Sequence, residues 1–344
     1  IILCHHMICD GMSLAYLARD LMVHLGDPAR EVEVLPASRP MTLDNLPSDV
    51  SLSGLARSLI NRIRQRWAEE SVFFDHQDYE ILTKAYWDNY NYEILSIELS
   101  KEETSALVGR CRKESVTVNS ALTAAFSGAQ RFVEGEKPYN ASIIIAANVR
   151  DHHPNPPGEP GGYDAGGVEL KLRYEHRRSF WENARRFHRK TQPKFTNKNL
   201  FEQALTWLHM DSNIYEAMNF KRLGGLVPSE SARYEKLSAF SRKADVVVRL
   251  LERVNMASLD AIMWGTAVTN LGRLDFPRTY GALELDRLIM QPGGGFPLAN
   301  FNLVLGAVTC SGKLSLIVEY AEEAVDTSTV EKIKDKALEL LLDE

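Results

Sequence analysis

Apolar residues recur at two distinct periods along this chain. Between residues 12 and 25 they fall at Leu14, Leu17, Ala18, Leu21 and Leu25, spacings of three and four that predict a helix. Gly26-Asp27-Pro28 stops it. Residues 29–50 are spotted with Pro and Ser and read as a connecting loop. A second helix is predicted over 52–70, with Leu55, Leu59, Ile60 and Ile63 on one side. Near Tyr90 the texture changes. "YEILSIELS" alternates as a strand, and Ser100 followed by Glu102 and Glu103 reads as a helix start. The segment 117–132 predicts a helix and 141–150 a buried strand ending in a charge. Residues 151–167, rich in Pro and Gly, read as loop. A strand over 168–175 and a helix over 179–192, capped by Ser179, follow. Residues 195–256 read as helical, and 261–272 as a buried strand. Strands over 300–310 and 313–321 are joined by Ser311-Gly312, a tight hairpin signal, before a terminal helix over 328–342. Residues 1–6 read as a short buried strand that ends in His5 and His6. The mixture predicts a layered α/β (α+β) fold.

Composition narrows the class. The 344 residues allow two domains or subdomains and a sizeable core. Hydrophobic residues make up 44% and charged ones 25%, an ordinary globular balance. The formal net charge of −6 argues against nucleic acid as a partner, which would favour a basic footprint. No apolar run reaches the roughly 18–20 residues of a membrane helix, so no membrane partner is expected. Cys4, Cys9, Cys111 and Cys310 have no framework spacing, which predicts a reduced, cytoplasmic setting. The chain opens with Ile1 inside an apolar run, and upstream sequence is expected in the native protein.

The chemistry concentrates at the start. On a strand, alternation sends His5 and His6 to opposite faces, so only one can face a given cavity. An imidazole, with an ordinary pKa near 6.5, can take and return a proton at neutral pH. Asp10 can orient the turn by accepting hydrogen bonds or can pair with a cation. Gly11 permits a close backbone approach or an unusual dihedral.

The pattern His-His-x-x-x-Asp-Gly stands complete at residues 5–11, and the helix that follows begins "DGMSLAYLARDL". This resembles the signature of the condensation-domain superfamily. That superfamily includes the condensation domains of nonribosomal peptide synthetases, alcohol acetyltransferases, and thioester-dependent acyltransferases such as the polyketide-associated and plant BAHD enzymes. "SVTVNSALTAAF" resembles a helix of its C-terminal half. "IIIAANVR" looks like the strand whose terminal arginine, Arg150, pairs with the motif aspartate, Asp10. "AVTNLGRLD" resembles the segment near the active-site tunnel, which makes Asn270 and Gly272 candidate tunnel residues. The plant-type Asp-Phe-Gly-Trp-Gly segment is absent, and Asn270-Leu271-Gly272-Arg273 stands in its region.

The resemblance implies a chloramphenicol acetyltransferase-like fold of two subdomains. Residues 1–90 would be the remainder of the N-terminal one, carrying the histidine motif, and residues 91–344 the C-terminal one. The missing part of the first half would lie upstream or in another chain. It further implies acyl transfer from coenzyme A or carrier-protein phosphopantetheine to a hydroxyl or amine acceptor. His6 would be the general base and His5 structural, with Asp10, Gly11 and Arg150 in support. The donor is a substrate, and no tightly bound cofactor is expected. The tail "NLGRLDFPRTYGALELDRL" looks more like the stand-alone O-acyltransferases than like peptide-forming domains. Alternatives are a peptide-bond-forming condensation domain, a catalytically silent relative that recruits a carrier protein, and a metal-stabilised domain built on Cys4, His5, His6 and Cys9. No metal is expected, because adjacent ligands on one strand point apart. His152 and His153 read as solvated loop residues. The basic stretch 185–190 reads as a solvated helix face, or else as a docking patch for a phosphate-bearing group.

Overall fold

A computed structural model describes residues 1–6, 8–36, 40–70, 72–159, 161–242, 264–294 and 300–342. The fold is mixed α/β, built on one sheet. Its strands are β1 (Tyr92–Glu98), β2 (Ser142–Asn148), β3 (Ala165–Lys171), β4 (Trp264–Leu274), β7 (Phe301–Cys310) and β8 (Lys313–Ala321), in the order β1-β8-β7-β4-β2-β3. The central pairs β7/β4 and β4/β2 are parallel, and the outer pairs are antiparallel. The hairpin at Ser311-Gly312 joins β7 to β8 as its sequence predicts, with Ser311 at φ 52° and Gly312 at φ 81°. The part of the predicted 195–256 helical region and the 261–272 strand that falls on residues 243–263 lies outside the described residues.

Helices α4 (Lys101–Lys113), α5 (Val118–Glu134), α6 (Phe180–Thr191) and α11 (Thr327–Leu342) cover the sheet. Helix α5 is buried without interruption from Ser120 to Gln130. Its small residues let neighbours approach closely: a Cβ on Gly128 would lie 2.7 Å from the Tyr174 ring. Gln130 donates to Gly265 O (3.0 Å) and accepts from Thr266 Oγ1 (2.9 Å), so this buried amide is satisfied. Ser100 and Glu103 form a capping box at the start of α4, and Ser179 and Glu182 another at α6.

A second core joins α2 (Gly54–Glu70) and α3 (His76–Asn89) to α9 (Ser212–Leu223) and α10 (Tyr234–Arg242). Phe74 stacks on Phe220 there, with centroids 3.8 Å apart. Between the cores run two short helices, α7 (Asn197–Leu200) and α8 (Glu202–His209). Among the described residues no helix is long and apolar enough to cross a membrane.

Residues 1–6 are not a strand. Ile1 and Leu3 are exposed, and the main sheet begins only at Tyr92. An apolar run becomes a strand where another strand supplies ladder partners, and here none pairs with it among the described residues. Helix α1 (Gly11–Gly26) follows directly. Its far end abuts a small hairpin of β5 (Thr279–Tyr280) and β6 (Leu283–Glu284), where Gly281 has φ 58°. A Cβ on Gly26 would sit 2.5 Å from the backbone carbonyl of Tyr280. Backbone cannot swing aside as a side chain can. Gly26→Ala should therefore destabilise the protein by about 1–3 kcal/mol, measured by urea unfolding.

Glu319 lies in β8 and is 2% exposed, accepting hydrogen bonds from Gly293 N (3.1 Å) and from the Gln291 side chain. Burial pushes its carboxyl up to about 7. The folded state thus holds this proton more tightly than the unfolded chain. Its contribution to stability is present below the unfolded value of about 4.3 and lost as pH rises through about 7. Glu319→Gln should flatten the fall in melting temperature between pH 5 and 8, read by thermal scans across about three pH units.

Candidate active site

The site is built on the N-terminus of α1. Asp10 is extended (φ −94°, ψ 176°) and caps the helix, its Oδ1 accepting from Ser13 N at 2.9 Å. Arg150 stands where β2 gives way to a 3₁₀ turn over Arg150–His152. Its Nη1 donates to Asp10 Oδ2 (2.8 Å) and its Nη2 to Asp10 Oδ1 (3.0 Å), a two-pronged pair with both residues buried. Asp164 N donates to Asp10 Oδ2 at 2.8 Å. Burial alone would raise the Asp10 carboxyl, but the Arg150 hydrogen bonds and the Ser13 and Asp164 N–H groups outweigh it and hold the carboxyl below its usual range.

The same contacts tie down the loop before β3. Gly162 O accepts from Asp10 N (3.0 Å) and from Ser13 Oγ (2.9 Å). Ser13 Oγ also accepts from Arg150 Nη2 at 2.7 Å. Asp164 Oδ1 lies 3.1 Å from His153 Nε2, and the His153 ring meets Phe201 edge-on at 5.2 Å. The expectation that His152 and His153 are solvated is therefore corrected. The His153 side chain is 8% exposed, and His152 Nδ1 contacts Asn197 Oδ1 at 2.8 Å. A polar loop residue is drawn inward when the fold places an acid and a ring beside it, which local sequence does not reveal.

His6 is exposed beside this scaffold. Its Nδ1 lies 3.0 Å from Cys9 O. A carbonyl oxygen only accepts, so in the neutral ring Nδ1 carries the proton and Nε2 the lone pair. The His6 ring meets the Tyr163 ring edge-on at 5.4 Å. His5 is exposed as well, and its carbonyl accepts from Ile8 N at 3.1 Å. Because residues 1–6 form no strand, a turn sets the directions of the two histidines. Cys9 Sγ donates to Asp10 O (3.5 Å), and burial together with Cys4 pushes its thiol up to about 11, which keeps it protonated. Among the described residues no three His, Cys, Asp or Glu side chains are grouped to hold a metal ion.

Gly11 is needed for close approach and not for an unusual dihedral. Its φ is not positive, and a Cβ there would lie 2.9 Å from Leu271 Cδ2. Leu271 is aimed at it by a bulge in β4. The register shifts between Asn270 and Arg273, Asn270 Oδ1 accepts from Gly272 N (2.7 Å), and Gly272 has φ 74°. Asn270 and Gly272 thus shape the strand end beneath α1.

The basic stretch 185–190 is not a free surface. Arg185 pairs with Glu114 and Arg186 with Glu175, Phe187 is buried, and His188 Nδ1 meets Ser120 Oγ at 3.1 Å. Only Arg189 and Lys190 are exposed. Helix α6 lies against α5, so its basic residues are engaged by neighbours.

No family model matches the sequence, and no curated protein matches it. Solved structures do match the backbone. The chain is similar to the trichothecene 15-O-acetyltransferase TRI3 of Fusarium sporotrichioides, with a TM-score of 0.55 at 14% identity over 97% of this chain and 63% of that one. It is similar to polyketide synthase associated protein 5 of Mycobacterium tuberculosis, with a TM-score of 0.54 at 13% identity over 98% and 72%. It is also similar to the epimerization domain of the third module of tyrocidine synthetase B, with a TM-score of 0.52 at 14% identity over 98% and 67%. The chain shares the backbone fold of these three proteins and spans 63–72% of their length.

Removing Arg150 strands a buried carboxylate. Arg150→Ala should cost about 3–5 kcal/mol, and Arg150→Lys should recover only part of that because one ammonium cannot make the two-pronged pair. Urea unfolding of both variants measures it. Asp10 contributes stability that is present above its unfolded value of about 3.9 and lost as pH falls through its lowered folded value. Asp10→Asn should flatten that acid limb.

Proposed function

We propose that this chain is an acyltransferase that moves an acyl group from a thioester to a hydroxyl or amine, with His6 as general base. The observation that carries the reading is the His6–Cys9 contact, which leaves Nε2 unprotonated on an exposed, positioned imidazole. In the reaction, Nε2 takes the proton of the acceptor as its oxygen or nitrogen attacks the thioester carbonyl. The tetrahedral intermediate collapses with cleavage of the C–S bond. The departing thiolate takes the proton back, and an ester or amide and a free thiol result. Asp10 and Arg150 touch no reacting atom. They hold the turn that presents His6.

The donor is an acyl group on coenzyme A or on a carrier protein's phosphopantetheine, and the acceptor is a small molecule. An oxygen acceptor is favoured by the likeness of the 270–288 segment to stand-alone O-acyltransferases. A reduced, cytoplasmic compartment fits the four free cysteines.

The test is thiol release from a panel of acyl-CoA thioesters in the presence of alcohols and amines, followed with a thiol-reactive dye. His6→Ala and His6→Gln should each lower turnover by about 10²–10⁴-fold while melting like the parent protein. Turnover equal to the parent in both variants would overturn the role of His6.

A further inference from the structure

Four aromatic rings stand in a row that starts at His6. The His6 and Tyr163 centroids are 5.4 Å apart at 63°, Tyr163 and Trp207 6.3 Å at 36°, and Trp207 and Tyr215 5.9 Å at 72°. They come from four separate parts of the chain: the turn before α1, the loop before β3, α8 and α9. Some aromatic contacts in this protein are sealed in a core, as Phe74 on Phe220 is. This row is not. His6 and Trp207 are exposed, Trp207 by 40%, and Tyr163 is half-buried.

The backing of the row is rigid. Gly162 and Asp164, on either side of Tyr163, are both hydrogen-bonded to the N-terminus of α1. Tyr163 is thus fixed relative to His6 by main-chain anchors. Trp207 follows the buried Leu205, and Leu208 packs on the sheet core. Tyr215 follows Ile214, which is fully buried in the second core. The Tyr215 hydroxyl is itself buried, with no hydrogen-bond partner among the described residues. A row of rings that is open to solvent at His6 and Trp207 is suited to a planar ligand.

We infer that Tyr163 and Trp207 form an aromatic platform on which one of the two substrates lays a planar ring, and that Tyr163 also holds the His6 imidazole in position. This rests on the acyl-transfer reading and names the substrate class of the same site. Nδ1 of His6 is held by the Cys9 carbonyl, and the Tyr163 edge blocks the remaining freedom of the ring. A substrate ring over Tyr163 and Trp207 brings its attached hydroxyl, amine or thioester to Nε2.

Two arms separate the sources of the ring. One compares benzoyl-CoA with acetyl-CoA on a fixed alcohol, and the other compares 2-phenylethanol with n-butanol on a fixed donor. In one arm Trp207→Ala should raise the ratio of KM for the ring-bearing partner to KM for the aliphatic one by about tenfold, since a good aromatic contact is worth about 2–13-fold. Trp207→Phe should restore most of it. Tyr163→Leu should lower kcat for every substrate, and Tyr163→Phe should not. KM ratios that stay fixed in both arms would overturn the platform, and equal kcat in Tyr163→Leu and Tyr163→Phe would overturn the positioning role. A third readout needs no turnover: calorimetric binding of 2-naphthol should persist in His6→Ala and weaken in Trp207→Ala. Parent-like turnover in His6→Ala would sink the role of His6 as base alone, whereas undiminished 2-naphthol binding in Trp207→Ala would sink the platform alone.

Discussion

The Asp10–Arg150 pair is the constraint on which the site depends. The carboxylate accepts from two guanidinium nitrogens, from Ser13 N and from Asp164 N. These donors come from three places far apart in sequence: the first turn of α1, the end of β2, and the loop before β3. One buried charge therefore fixes the relative position of three elements. Such a pair adds little net stability over a well-packed apolar substitute, because desolvation offsets most of the attraction. Its value here is positional. A mobile apolar contact would tolerate a shifted helix, and a two-pronged ion pair with two further donors does not.

Helix α1 is held at both ends by different means. At its start Leu271 fills the space above Gly11, where the β4 bulge pushes it. At its end the carbonyl of Tyr280 lies against Gly26. Both contacts are made at a glycine of the helix, one with the end of β4 and one with the hairpin that follows it. The stretch from Asn270 to Glu284 thus serves as a brace along α1. His6 lies in the turn directly before this doubly held helix.

Local signals were legible in the sequence and non-local ones were not. The boundaries of α5 and α6 follow from Thr117 and Ser179 as caps and from apolar spacing. The start of α4 follows from Ser100 and Glu103. Residues 1–6 have strand composition, yet a strand exists only by virtue of its partner. His153 lies among prolines and glycines, and its burial depends on Asp164 and Phe201, neither of which is near it in sequence. Helix α3 left no reading because its apolar face meets α9 and α10, so its period is diluted by polar residues that cap and pair, such as Asp78 with Lys236. At the site, the motif residues and Arg150 were legible from family likeness. Tyr163 was not, because its neighbours Gly162 and Asp164 gain meaning only from where α1 lies.

The saturation of Asp10 also decides what the His6 ring can pair with. In a His–Asp dyad the carboxylate receives the imidazole N–H, orients the ring and stabilises its charged form. Asp10 has no accepting position left for that. The ring N–H goes instead to the neutral Cys9 carbonyl. A carbonyl fixes the tautomer without placing a full negative charge beside the ring, so it favours the imidazolium far less than a carboxylate would. In the proposed transfer, the imidazolium formed during attack would have no carboxylate hydrogen-bonded to its ring N–H. The acid in the motif serves geometry, and the ring N–H of His6 finds its partner in a carbonyl instead.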